Sequence, residues 1–173
     1  VAAARVTPGD AMWVTEKSAV LSGVMMQMFS HGIIAATFFG LLGWMEERNA
    51  GRRGLNDFGG LRAVAPMFYG GMGMVLFASV GLPGLSGFIG EFLIFKGALA
   101  LAPWAAVLSV GGLLVTAVFL LTLAQRVWHG PLEGQGAGFP DLTWRERFIL
   151  APSLLLILLL GVHPQLALQF INT

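Results

Sequence analysis

Glu91 is the side chain of this sequence best placed to do chemistry. It follows directly on Gly81-Leu82-Pro83-Gly84-Leu85-Ser86-Gly87-Phe88-Ile89-Gly90, inside a stretch that holds no charged residue or histidine from Ala63 to Gly90. A carboxylate within an apolar segment is costly unless it is paired, hydrated or neutralised, so its default meaning is functional. A helix break beside such a group is one way membrane proteins place a titratable residue at depth. The alternative is a carboxylate at the interface, in contact with headgroup water. His31 is the second candidate. It is the only titratable residue between Lys17 and Glu46, and Gln27, Ser30 and Thr37 flank it on neighbouring turns as a polar seam that could hold water. A neutral imidazole bonded to a neighbouring helix would account for it equally well. Lys96, five residues beyond Glu91, is the third, and snorkelling to the interface competes with a role in conduction.

The elements that must carry these residues can be read from the charges. Only 11% of the residues are charged, against roughly 25% in soluble domains, while 56% are hydrophobic, including 13 Phe and 5 Trp. Such a chain cannot cover a soluble surface of its own. Uncharged blocks suggest an all-α, polytopic membrane bundle of about four transmembrane helices, near 20–45, 65–100, 103–127 and 146–170. The second block, at about 36 residues and about 1.5 Å each, is too long for one straight span. Pro83 among four glycines locates a break within 81–88. A Gly/Pro turn at the surface between two spans is the rival, but the residues from Phe92 to Pro103 are too few to cross again.

Arginines orient the bundle. Arg48, Arg52, Arg53 and Arg62 lie in one long loop, 46–64, and Arg126, Arg145 and Arg147 in another, 126–147, which the positive-inside tendency places in the cytoplasm. Residues 1–17, with Arg5, Asp10, Glu16 and Lys17, have no signal-peptide core, and the chain reads as a piece of a longer membrane protein. His129 and His163 fall at span ends, and Gly70, Gly71 and Gly73 suggest close approach by a neighbouring helix. A net charge of +1 argues against a nucleic-acid partner. The absence of cysteine excludes thiolate chemistry, disulfides and iron–sulfur clusters in this chain. The histidines are far apart and no phosphate cradle is visible, so no metal or cofactor site is expected here.

Several motifs resemble a known family. The run Met25-Met26-Gln27-Met28-Phe29-Ser30-His31-Gly32, the loop Asn56-Asp57-Phe58-Gly59-Gly60-Leu61, the broken helix from Gly81 to Phe92, and Gln125-Arg126-Val127-Trp128-His129-Gly130-Pro131-Leu132 occur in the order found in M-type subunits of bacterial NADH–quinone oxidoreductase, respiratory complex I. The mitochondrial counterpart is NADH dehydrogenase subunit 4. The resemblance runs from about residue 18 to Pro164 and implies the carboxyl-terminal third of a proton-translocating membrane-arm subunit in the bacterial plasma membrane. It implies that Glu91 is the titratable residue of the broken helix, where the sister L and N subunits have Lys, and that His31 is an embedded proton relay. The role of Lys96 stays open. NADH, FMN, iron–sulfur clusters and quinone are expected in partner subunits, and the partners are the other membrane-arm subunits, the lipid bilayer and protons. The rivals are a subunit of a multi-subunit sodium/proton antiporter and a non-conducting scaffold bundle.

Overall fold

The computed structural model describes residues 8–131 and 138–171; Arg5 and the middle of the 126–147 loop, including Leu132, lie outside the described residues. Among the described residues the chain is all-helical, with no strand. Helix α1 (Pro8–Arg48) begins with proline in its first turn, where the missing N–H costs nothing. No proline interrupts it afterwards, so it runs for about eleven turns and takes in Glu16 and Lys17 before the apolar block expected at 20–45. Then come α2 (Pro66–Ser79), α3 (Ser86–Leu101), α4 (Pro103–Ala124) with a π-helical turn at Gln125–His129, α5 (Trp144–Val162) and α6 (Gln165–Ile171).

The last apolar block is not the single helix expected over 146–170. It is two helices bent by 79°. Pro164 disfavours helical backbone at the preceding residue, and His163 accordingly ends α5 at φ −128°, ψ 63°. Two helices, Trp13–Arg48 and Pro103–His129, are each long and apolar enough to cross a membrane, and α5 with α6 makes a third candidate if the bent pair counts as one span.

At the loop end, hydrogen bonds fasten the bundle. One terminal nitrogen of Arg48 donates to both Glu146 oxygens, at 2.7 and 2.6 Å, and the guanidinium lies 5.4 Å from the Phe68 ring centroid. Glu146 in turn forms a capping box with Thr143 at the start of α5. Asp141 caps α2 from outside that helix, accepting from the Met67 and Phe68 N–H groups at 3.1 and 2.9 Å. The two loops therefore pack against each other over a core that includes Phe68, Trp128 and Phe139.

Helices α1 and α3 run antiparallel with their backbones close together. A methyl group added at Gly90 would lie 2.8 Å from Gln27 Cα, and one at Gly97 would lie 3.0 Å from the Glu16 carbonyl oxygen. Any side chain at either position forces the helices apart. Among the described residues, the glycines expected to serve this purpose do not do so against any helix of this chain. Gly70 and Gly73 have open space where a side chain would go, and Gly71 meets only Leu154 Cδ1, at 3.9 Å. Those three lie on α2, whereas the close helix pair is α1 and α3.

Candidate functional site

The break ahead of Glu91 is made of two local motifs. Gly81, at φ +78°, ends α2: its N–H donates to Ala78 at 3.3 Å and the Leu82 N–H donates to Phe77 at 3.0 Å, the pairing of a Schellman cap. The next four residues form a turn with Pro83 second and Gly84 third, at φ +94°, closed by a 3.1 Å bond from the Leu85 N–H to the Leu82 carbonyl. That is the sequence a type II turn requires. Helix α3 starts at Ser86, so the break covers 80–85 and not the whole of 81–88. The difference arises because positive φ is confined to Gly81 and Gly84, whereas Gly87 is helical and abuts the Ala78 carbonyl.

Glu91 therefore lies in the second turn of α3, facing back toward the break. It is half-buried and, among the described residues, forms no salt bridge. A methyl group at Gly81 would collide with its carboxylate, with Cδ at 3.0 Å. Glu91 and His31 line one cleft of about 500 Å³ between α1, α3, α4 and the end of α2. Its other polar members are Gln27, Ser79, Ser109 and Thr116. The three hydroxyls donate to carbonyls of their own helices, at 2.9 Å from Ser79 to Val75, 2.9 Å from Ser109 to Ala105 and 3.1 Å from Thr116 to Gly112. Each oxygen keeps acceptor capacity beyond that bond. Gln27 Oε1 is buried without a protein partner.

Not every expected site residue is here. Of the seam Gln27, Ser30, His31 and Thr37, only Gln27 and His31 reach the cleft. Ser30 and Thr37 belong to the adjacent buried stripe of α1 with Met26, Ile34 and Leu41, and Thr37 donates to the Ile33 carbonyl at 2.7 Å. Lys96 is exposed and outside the cleft, because five residues turn the helix by roughly 140° from Glu91. The α4 hydroxyls were missed at the sequence level. Their signal was there: Ser109, Leu113, Thr116 and Leu120 recur at helical spacing on one face of an otherwise apolar span.

Comparison with known proteins places the chain in a family. The family model described as "NADH:quinone oxidoreductase/Mrp antiporter, TM" matches residues 11–119. The chain belongs to this family. It is 38% identical over 151 residues to NADH-quinone oxidoreductase subunit M of Mycobacterium tuberculosis, covering 87% of this chain and 27% of that protein. It is 36% identical to subunit M of Rhodobacter capsulatus, covering 88% and 30%, and 35% identical to the F(420)H(2) dehydrogenase subunit M of Methanosarcina mazei, covering 83% and 29%. Among solved structures it is similar to a chain of respiratory complex I from Thermus thermophilus with bound NADH, with TM-score 0.68 and 30% identity over 88% of this chain and 35% of that one. The chain thus spans less than a third of the curated relatives it matches. In this NADH:quinone oxidoreductase/Mrp antiporter family it is a membrane-embedded helix bundle, and the matched stretch contains every polar residue of the cleft.

Proposed function

We propose that this chain is the proton-conducting carboxyl-terminal section of a membrane-arm subunit of an NADH–quinone oxidoreductase, and that Glu91 loads and releases a proton there with His31 as relay. The observation that carries the reading is the shared cleft: two ionisable side chains from separate helices, with a helix break behind one of them, meet in a volume large enough for bridging water. On this reading α2 and α3 form one broken span. The bundle then crosses the membrane about four times, with the arginine-rich loops in the cytoplasm of a bacterial cell. Electron transfer from NADH to quinone takes place in partner subunits that hold the cofactors, and changes in their charge or shape alter the hydration and neighbouring field of Glu91. A carboxylate responds to either change by gaining or losing its proton. Lys96 has no part in this path.

The family description also covers Mrp antiporters. The relatives above are instead named for dehydrogenase complexes, which favours redox-driven pumping. The test is Glu91→Gln in the assembled complex, reconstituted in vesicles, with proton uptake and NADH-dependent quinone reduction recorded together. Gln keeps the volume and hydrogen bonding but cannot titrate. We expect normal assembly with most pumping and coupled turnover lost; wild-type pumping in this variant would refute the role.

A further inference from the structure

Helix α4 carries two clefts in series. The Glu91 cleft is lined on α4 by Ser109, Leu113, Thr116 and Leu120. A second cleft, of about 420 Å³, begins at Leu120 and follows α4 and its π-helical turn toward the loop end as far as Trp128 and His129, with the Tyr69 to Phe77 face of α2 and Val80 just past its end as the other wall. Among the described residues Leu120 is the one side chain that lines both. It is 9% exposed, on a helix whose only other buried residue is Ala106.

The loop-side mouth of the second cleft is polar. Arg62 Nη1 lies 3.0 Å from His129 Nδ1, and Tyr69 Oη lies 3.0 Å from His129 Nε2. A guanidinium only donates, so Nδ1 accepts, and the neutral ring holds its hydrogen on Nε2 and gives it to the Tyr69 oxygen. The tyrosine O–H is then left to donate elsewhere. Inward from this mouth the walls are apolar, through Leu76, Phe77, Val80 and Leu121, as far as Leu120, which lines both clefts. A polar mouth with room behind it admits water, and an apolar constriction interrupts a file of water by excluding it.

We propose that the two clefts are one proton route from the loop side to Glu91, with His129 and Tyr69 at its mouth and Leu120 as the constriction that separates Glu91 from loop-side water. This rests on the reading of Glu91 as the proton-loading group. Each passage takes one proton from loop-side water and delivers it to the carboxylate, and no other bond changes. The open flank of the second cleft, between α2 and α4, is closed in the membrane by lipid or by neighbouring protein, so the test needs the assembled complex.

The chain has no cysteine, so a single introduced thiol at Thr116→Cys, just beyond Leu120, reports water access. In inside-out vesicles a small, charged, membrane-impermeant thiol reagent is applied from the loop side, and labelling of this subunit is followed by mass spectrometry. We expect slow labelling with Leu120 present, labelling several-fold faster with Leu120→Ala, and the slow rate retained with the volume-conserving Leu120→Met. The same Leu120→Ala change, without the cysteine, should raise passive proton leak several-fold, and adding Glu91→Gln should remove that increase. Equal labelling rates for Leu, Met and Ala at 120, or a leak that persists in the Glu91→Gln background, would overturn the constriction. If instead Leu120→Ala speeds labelling while Glu91→Gln alone pumps normally, the role of Glu91 fails and the aqueous route stands.

Discussion

The Glu91 carboxylate packs against the α-carbon of Gly81, ten residues earlier, where a single added methyl group would collide with it. One residue thus does two jobs. Its left-handed backbone ends α2, and its missing side chain makes the space in which the carboxylate sits.

Gly81→Ala should therefore impair pumping beyond its effect on stability. A left-handed alanine costs about 1–2 kcal/mol. Gly84→Ala provides the control, because Gly84 also has positive φ, at +94°, but open space around the missing Cβ. We expect both variants to lower the amount of assembled complex by similar amounts and only Gly81→Ala to reduce protons moved per quinone reduced. Equal ratios in the two would show that the carboxylate does not depend on this contact.

The seam between α1 and α3 gives a second contrast. Gly90→Ala sets a methyl group against the Gln27 backbone and should destabilise by about 1–3 kcal/mol, as overpacking does. Gly70→Ala meets nothing within 4 Å and should be neutral or slightly stabilising, since alanine favours helix. Thermal melting of the purified complex, with the subunit's retention followed on native gels, separates the two. A Gly70→Ala loss as large as that of Gly90→Ala would contradict the packing.

Asp141 links stability to pH. Partial burial pushes its carboxyl upward, but the N–H groups of Leu142, Phe68 and Met67, with Arg147 nearby, outweigh that and hold it below the usual carboxylate range. The pKa is lower folded than unfolded, so the stabilisation is complete above the unfolded value of about 3.9 and is lost as pH falls through the depressed one. Asp141→Ala should cost about 1 kcal/mol at neutral pH, the usual value of a helix cap, and the deficit should shrink on acidification. Melting curves at neutral and acid pH test this; a deficit that stays constant with pH would mean the charge is immaterial.

The sequence revealed what depends on short-range backbone rules and hid what depends on helix rotation. Pro83 with Gly81 and Gly84 marked the break because each has a fixed conformational consequence, and Glu91 and His31 stood out as ionisable groups in apolar surroundings. Which glycines pack closely was not legible. Gly70, Gly71 and Gly73 look the part in sequence, yet contact is decided by which helices become neighbours, and those are α1 and α3. Ser30 and Thr37 went astray for a related reason: one residue of offset turns a helix by about 100°, enough to move a hydroxyl from cleft to core. The bend at His163–Pro164 was written in the proline but masked by the uniform apolarity on both sides of it.

The central claim is that the Glu91 carboxyl changes protonation during turnover. Infrared difference spectroscopy of the full complex, recorded between its oxidised and NADH-reduced states, reads this directly in the carbonyl stretch of a protonated carboxylic acid. We predict a band in that region that shifts on exchange into deuterium oxide, disappears in Glu91→Gln, and is moved or weakened by Gly81→Ala. A difference spectrum identical in the wild type and Glu91→Gln would contradict the assignment of Glu91 as the proton-loading group.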